Sequence, residues 1–230
     1  MKFVIDFMRL NKFIAQAGVS SRRKADELIK GGQIKVNGQV IRELGKVIDE
    51  NKDTIEIGQR KLSLADQFIY LALNKPVGYI ASTTSAQGKS VLDLIKNKER
   101  IYPVGRLDKD SRGLIFLTND GEFAYHLTQA RLGCEKEYEV ELDRPLKNSD
   151  KKYFERDMVL GEDKVRGIRV INQKGNKVYL VLRQGVNRQI RRMAESRGYR
   201  VLDLKRIRIG KFKLGNLKEG EYKKITPQEV

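Results

Sequence analysis

The sequence is poor in the residues that make cross-links and metal sites. One cysteine, Cys134, stands in 230 residues, which excludes an internal disulfide. A single histidine, His126, leaves no Cys/His set for a zinc ion. No apolar run approaches the roughly 20 residues that cross a bilayer, and Met1–Phe7 is too short for a secretory signal. Neither common type of Gly-rich phosphate loop occurs, nor a repeated strand–helix–strand rhythm, which excludes a nucleotide-binding sheet. Acidic residues are the minority: 30 Asp and Glu face 47 Lys and Arg, for a formal net charge of +17. Both signs are nevertheless abundant, and 40% hydrophobic residues suffice for a core. These counts predict a folded, cytoplasmic protein whose partner is a polyanion.

The positive charge is uneven. Residues 1–66 carry 13 Lys/Arg and 9 Asp/Glu, whereas residues 183–213 alone carry 11 and 2. A segment so one-sided points to nucleic acid contact rather than ordinary solvated surface. The first segment has the pattern of a small α/β module. Leu10, Phe13, Ile14 and Ala17 follow helical spacing up to Gly18. Ser20 or Ser21 is placed to cap a second helix with Ala25, Leu28 and Ile29 as its buried stripe. Asn37-Gly38, between Val36 and Val40, predicts a tight hairpin, and residues 54–57 a further strand. Arg22, Arg23 and Lys24 fall in the first turn of the second helix, where free N–H groups and cations together suit a phosphate. Arg9-Leu10-Asn11-Lys12, Gly18 through Arg23, Leu28-Ile29 and Val36-Asn37-Gly38 resemble the small RNA-binding domain found in ribosomal protein S-four. The resemblance covers residues 8–66, with residues 64–68 as the linker and no role for Met1–Phe7.

Residues 67–230 read as α+β. Strands are expected at 69–73, 101–104, 114–117, 136–142 and 178–182, and helices near 90–97, 121–129 and 188–197. Three segments are rich in groups capable of chemistry. Gly105-Arg106-Leu107-Asp108-Lys109-Asp110-Ser111-Arg112-Gly113 stands between apolar strands as a polar loop, the usual seat of catalytic groups. Asp108 and Asp110 there suit a nucleophile with a bystander, or two magnesium ligands; residue chemistry does not separate the two. Lys136 to Leu142 alternates, with Glu137, Glu139 and Glu141 on one face and Tyr138, Val140 and Leu142 on the other. Tyr138 therefore points inward, either as a core tyrosine or as a ring that stacks on a base. In the third segment Asn187 is placed to cap a helix whose apolar stripe is Ile190, Met193 and Ala194. Arg188, Arg191 and Arg192 share the neighbouring stripe, as a solvated face or as guanidinium groups entering a cleft to pair a carboxylate.

Together with Leu73-Asn74-Lys75-Pro76-Val77-Gly78, these segments resemble, in order, four motifs of the RsuA/RluB/RluF group of pseudouridine synthases. The wording of Gly105–Ser111 and Asn187–Met193 is most similar to the RluF branch. The resemblance implies a mixed, largely antiparallel sheet with helices and a central cleft. It makes Asp108 the nucleophile, Tyr138 the ring that packs on the target base, and Arg191 the partner of Asp108. The same reading assigns RNA contacts to Arg9, Lys12, Arg22, Arg23, Lys24, Arg106, Arg188 and Arg192. The implied reaction turns a uridine of structured RNA into its C–C-linked isomer, on a base taken out of its stack. As an isomerisation it calls for no cofactor, and the reading includes no metal. The implied partner is large-subunit ribosomal RNA near the peptidyl-transferase region, with a tRNA anticodon stem-loop as a second substrate. The protein is expected to be a monomer with no obligate protein partner and no membrane. Two other classes compete: a ribosome-assembly factor that binds RNA without catalysis, and a metal-dependent nuclease built on Asp108 and Asp110.

Overall fold

The structure is a computed structural model and describes residues 7–64, 67–86, 88–97 and 99–230. Ala65 and Asp66, in the expected linker, and residues 1–6 of the unassigned leader lie outside the described residues. The chain divides into two compact units, one reaching to Phe68 and taking in Asn97–Arg100, the other holding Ile69–Lys96 and Ile101–Val230.

In the first unit β1 (Phe7–Arg9) leads into α1 (Leu10–Gln16) and α2 (Arg22–Lys30). Five short strands follow: β2 (Ile34–Val36), β3 (Gln39–Ile41), β4 (Val47–Asp49), β5 (Ile55–Ile57) and β6 (Arg60–Lys61). The helical spacing delivers Leu10, Phe13, Ile14, Ala25 and Ile29 to one core with Ile34, Ile48 and Ile55. Ser21 caps α2 by accepting from Lys24 N at 3.3 Å. The β2–β3 hairpin turns at Asn37-Gly38, both in the left-handed region. Asn37 locks the turn to the next strand, accepting from Thr54 N at 2.8 Å and donating to Asp53 Oδ1 at 2.8 Å.

The second unit is α+β. Its strands and helices run β7 (Tyr70–Lys75), β8 (Tyr102–Val104), β9 (Arg112–Thr118), α3 (Gly121–Thr128), β10 (Lys136–Leu142) and α4 (Asn148–Phe154). They continue with β11 (Met158–Leu160), β12 (Asp163–Val165), β13 (Arg169–Lys174), β14 (Lys177–Leu182) and α5 (Gln189–Glu195). The last three are β15 (Val201–Ile209), β16 (Phe212–Lys213) and β17 (Tyr222–Lys224). Among the described residues the main sheet has the order β13-β14-β10-β15-β9-β7-β17, with β8 and β16 attached beside it. Of its pairings only β15 with β9 is parallel, so the sheet is mixed and largely antiparallel.

Both faces of the central strands are covered, and the two-residue period sorts their side chains between two cores. Leu114 and Phe116 of β9 join Ala72, Val104 and Phe212 on one side. Ile115 and Leu117 join Leu73, Val140, Ile190 and Met193 on the other. The helix expected near 90–97 is a single 3-10 turn, Val91–Leu94. Ser90 and Asp93 cap it reciprocally, and the chain is extended again at Ile95.

The parallel contact positions the site. Lys205 faces Arg112 and Arg206 faces Gly113. A Cβ on Gly113 would lie 2.3 Å from Arg206 O and 2.6 Å from its N, and Gly113 also holds φ at +105°. Only glycine permits this crossing. Gly113→Ala is expected to lower the unfolding free energy by about 3 kcal/mol, at the upper end of ordinary point changes. Urea titration measures it, and a loss below about 1 kcal/mol would show that the strands separate at little cost.

Candidate active site

A cleft of about 140 Å³ opens in the second unit, lined among others by Arg106, Asp108, Tyr138, Gln184, Arg188 and Arg191. Three elements bring these groups together. The loop between β8 and β9 supplies Arg106 and Asp108, β10 supplies Tyr138, and the start of α5 supplies the arginines.

Within the loop, Ser111 N donates to Asp108 O at 3.1 Å and closes a tight turn. The two aspartates of that turn have different surroundings. The Asp110 carboxylate accepts from Arg188 Nη1 at 3.1 Å on each oxygen and has Arg191 Nε at 3.4 Å. The Asp108 carboxylate, 29% exposed, has Arg188 Nη1 at 4.0 Å and no other ion pair among the described residues. The expected pairing of Arg191 with Asp108 is therefore not the one observed. Arg191, 7% exposed, holds the turn by its backbone. It donates to Asp110 O at 2.9 Å, to Ser111 Oγ at 3.4 Å and, from the other side of its fork, to Val201 O at 3.2 Å. Its side chain leaves α5 toward this carbonyl cluster, so its charge falls beside Asp110 rather than Asp108.

Asn187 does not cap α5. The cap position is Arg188, whose φ of +51° is left-handed and whose side chain makes no capping bond. An arginine held there is strained by about 1 kcal/mol or more. The turn that causes it is braced by Gln189, whose N donates to Val186 O at 3.2 Å and whose Oε1 accepts from Val186 N at 3.4 Å. It aims Arg188 across at the two aspartates.

Tyr138 is inward, as its alternation predicts. A bulge in the β10–β15 pairing decides what it meets. Glu137 faces Arg208 but Tyr138 faces Arg206, so Ile207 is passed over and the arginine stands against the tyrosine. Arg206 is 2% exposed. It donates from Nε to Leu114 O at 2.7 Å, and from Nη1 to Arg106 O at 3.3 Å and Tyr138 Oη at 3.4 Å. It thus ties both ends of the Asp108 loop to the tyrosine. Among the described residues it has no carboxylate within 4.0 Å, and its buried Nη2 has no hydrogen bond.

The one-sided segment 183–213 is accordingly not all surface. Arg191 and Arg206 are internal, and Arg208 is tied to Glu137 at 2.8 Å and Glu135 at 3.2 Å. Arg106 and Arg188 are exposed at the cleft, whereas Arg192 is half-buried against Asp163 at 2.6 Å. In the first unit Arg9, Arg22, Arg23 and Lys24 are exposed and Lys12 is half-buried. Lys24 pairs with Glu27 at 2.7 Å, and Arg22 donates to Asn11 at 3.4 Å.

Comparison with known proteins decides what kind of cleft this is. Residues 69–196 match the RNA pseudouridylate synthase family, and residues 8–53 match the S4 domain. This chain belongs to the RNA pseudouridylate synthase family. It is 37% identical to the dual-specificity RNA pseudouridine synthase RluF of Salmonella typhi, over 96% of this chain and 77% of that protein. It is 39% identical to the ribosomal large subunit pseudouridine synthase B of Bacillus subtilis (strain 168), over 96% of this chain and 93% of that one. A crystal structure of a pseudouridylate synthase superposes with a TM-score of 0.71 at 27% identity, covering 96% of this chain and 97% of the other. No helix among the described residues is long and apolar enough to cross a membrane.

Two residues of this synthase escaped the sequence reading. Arg206 stands within a basic run of the sequence, and only the bulge and the crossing at Gly113 reveal it as internal. Lys75, quoted within a motif, is 0% exposed and donates to Tyr79 O at 2.7 Å and Pro76 O at 3.0 Å. Burial pushes its ammonium down to about 8, against the fields of Asp110 and Asp108 and with that of Arg206. Below pH 8 both folded and unfolded chains hold this proton, and the folded chain bears the whole cost of a buried charge. Between about 8 and 10.5 the folded chain gives it up first, so stability contributed by Lys75 rises with pH. Lys75→Met removes that dependence. The difference in unfolding free energy between the two proteins is expected to move toward wild type by about 3 kcal/mol from pH 7.5 to 10.5. Taking the difference cancels other groups that titrate there, and a flat difference would contradict the buried charge.

Proposed function

We propose that this pseudouridine synthase isomerises a uridine of large-subunit ribosomal RNA near the peptidyl-transferase region, with Asp108 as the nucleophile. The C–N bond between base and ribose breaks, the base turns, and a C–C bond forms to the same ribose carbon. The proton lost from that ring carbon is balanced by the one gained at the freed nitrogen, so no oxidant, donor or cofactor enters. An ionised carboxylate suits the capture of sugar or base during the exchange.

The observation that carries this reading is the unequal treatment of the two aspartates. Asp110 is taken up by Arg188 and Arg191, whereas Asp108 faces the cleft beside Tyr138 with its carboxylate available. Two guanidinium groups on Asp110 also argue against a divalent cation shared by the pair. Tyr138 then packs on the flipped base, Arg191 is a positioning residue for the turn, and Arg106, Arg188 and Arg192 serve the RNA. Residues 67–230 do the chemistry. Residues 8–66 dock RNA through Arg9, Lys12, Arg22, Arg23 and Lys24, largely at phosphates. The ribosomal target is carried over from the Bacillus subtilis relative, and the motif resemblance to the RluF branch adds a tRNA anticodon stem-loop as a second substrate. The enzyme acts as a cytoplasmic monomer in this reading.

Incubating the full chain with unmodified large-subunit rRNA and tRNA transcripts, followed by carbodiimide mapping of pseudouridine, tests the assignment. New pseudouridine at one or a few neighbouring uridines of the rRNA is expected. A transcript left without pseudouridine would overturn the rRNA assignment.

A further inference from the structure

We propose that the β11–β12 hairpin and the Arg166 that follows it form a second RNA-contacting edge of the cleft, taking phosphates of the strand beside the base that enters. This rests on the RNA reading above and extends it to residues outside the catalytic motifs.

The hairpin is small, with three facing pairs: Met158 with Val165, Val159 with Lys164, and Leu160 with Asp163. A two-stranded ribbon of that size does not hold itself in water. What fixes it comes from the wall of the cleft. Gln184 accepts from Arg166 N at 2.9 Å and donates to Lys164 O at 3.3 Å. Gln189 donates to Arg166 O at 3.0 Å. Both glutamines line the cleft. Arg192 pairs with Asp163 at 2.6 Å and donates to Leu160 O. At the base, Gly167 N donates to Asp157 Oδ1 at 2.8 Å, and a Cβ on Gly167 would lie 2.1 Å from Glu155 O.

The result is a fixed backbone that presents two cations. Val165 is buried, so its neighbours Lys164 and Arg166, two positions apart, leave on the opposite face and are exposed. Among the described residues neither has a carboxylate within 4.0 Å; of the two acids in the hairpin, Asp163 is paired with Arg192 and Glu162 is exposed at the turn. The two glutamine side chains of the cleft wall are thus bonded to the hairpin backbone, with Gln189 Oε1 used elsewhere, on Val186 N. That arrangement has a use if the hairpin must stand at a set distance from the cleft. Long cationic side chains on a rigid edge suit the regularly spaced phosphates of a nucleic acid strand.

The test is the salt dependence of binding by the full chain to a large-subunit rRNA transcript. The variants are Lys164→Gln with Arg166→Gln, and Lys174→Gln as a control on an exposed cation at the end of β13. Each phosphate contact contributes about 0.7–0.9 to the log–log slope. The double variant is expected to bind more weakly, with a slope shallower by up to about 1.4–1.8, and the control to keep the wild-type slope. An unchanged slope in the double variant overturns the proposal. So does an equal loss per cation in the control, which would reduce the effect to overall charge. Pseudouridine formation by the wild-type chain on the same transcript is measured alongside. Wild-type turnover with an unchanged slope in the double variant removes only the hairpin, whereas no wild-type turnover removes the underlying reading whatever the slopes do.

Discussion

Arg206 enters the protein on a strand that must pass against the Cα of Gly113, and its guanidinium then bridges three parts of the cleft. It bonds the carbonyls of Arg106 and Leu114, at the two ends of the loop that carries Asp108, and reaches the hydroxyl of Tyr138. A buried guanidinium without a carboxylate costs several kcal/mol in isolation. Hydrogen bonds to the charged group offset part of that cost. The bulge at Tyr138 and the glycine at position 113 are therefore one device: the first turns Arg206 toward the tyrosine, and the second lets its backbone come close enough to clasp the loop.

With both ends of the loop fixed, the turn between them separates two carboxylates by their partners. Arg191 approaches from α5 and bonds the backbone of the turn, and Arg188, held in a left-handed conformation, reaches over it to Asp110. Two further cations, Lys75 and Arg206, lie inside the protein. Asp108 keeps only the 4.0 Å contact with Arg188, so its carboxylate oxygens stay open to the cleft. That is the condition a carboxylate nucleophile needs.

Much of this was legible in the residues. Period two gave β10 its inward Tyr138, period 3.6 gave α5 its buried Ile190 and Met193, and Asn37-Gly38 announced its hairpin. Local chemistry was less reliable where tertiary contacts overrode it. Asn187 is a good cap residue, yet the Val186–Gln189 turn moves the cap to Arg188. Apolar spacing over residues 90–97 suggested a helix, but the chain keeps only the turn that Ser90 and Asp93 stabilise. The partner of Arg191 depends on which carbonyls a loop offers, and the burial of Arg206 and Lys75 depends on a strand crossing. Counting charge along the chain treats such internal cations as surface. The glutamines that brace the β11–β12 hairpin carry no sequence signal of their own.

The proposed chemistry depends on the difference between Asp108 and Asp110, and single-turnover rates on the rRNA substrate at saturating enzyme measure it directly. Asp108→Asn is expected to abolish pseudouridine formation while RNA binding persists. Asp110→Asn, which loosens the turn but leaves Arg191 its backbone contacts, is expected to slow the reaction and keep it measurable. Wild-type rates in Asp108→Asn, or loss of turnover in Asp110→Asn alone, would contradict the account.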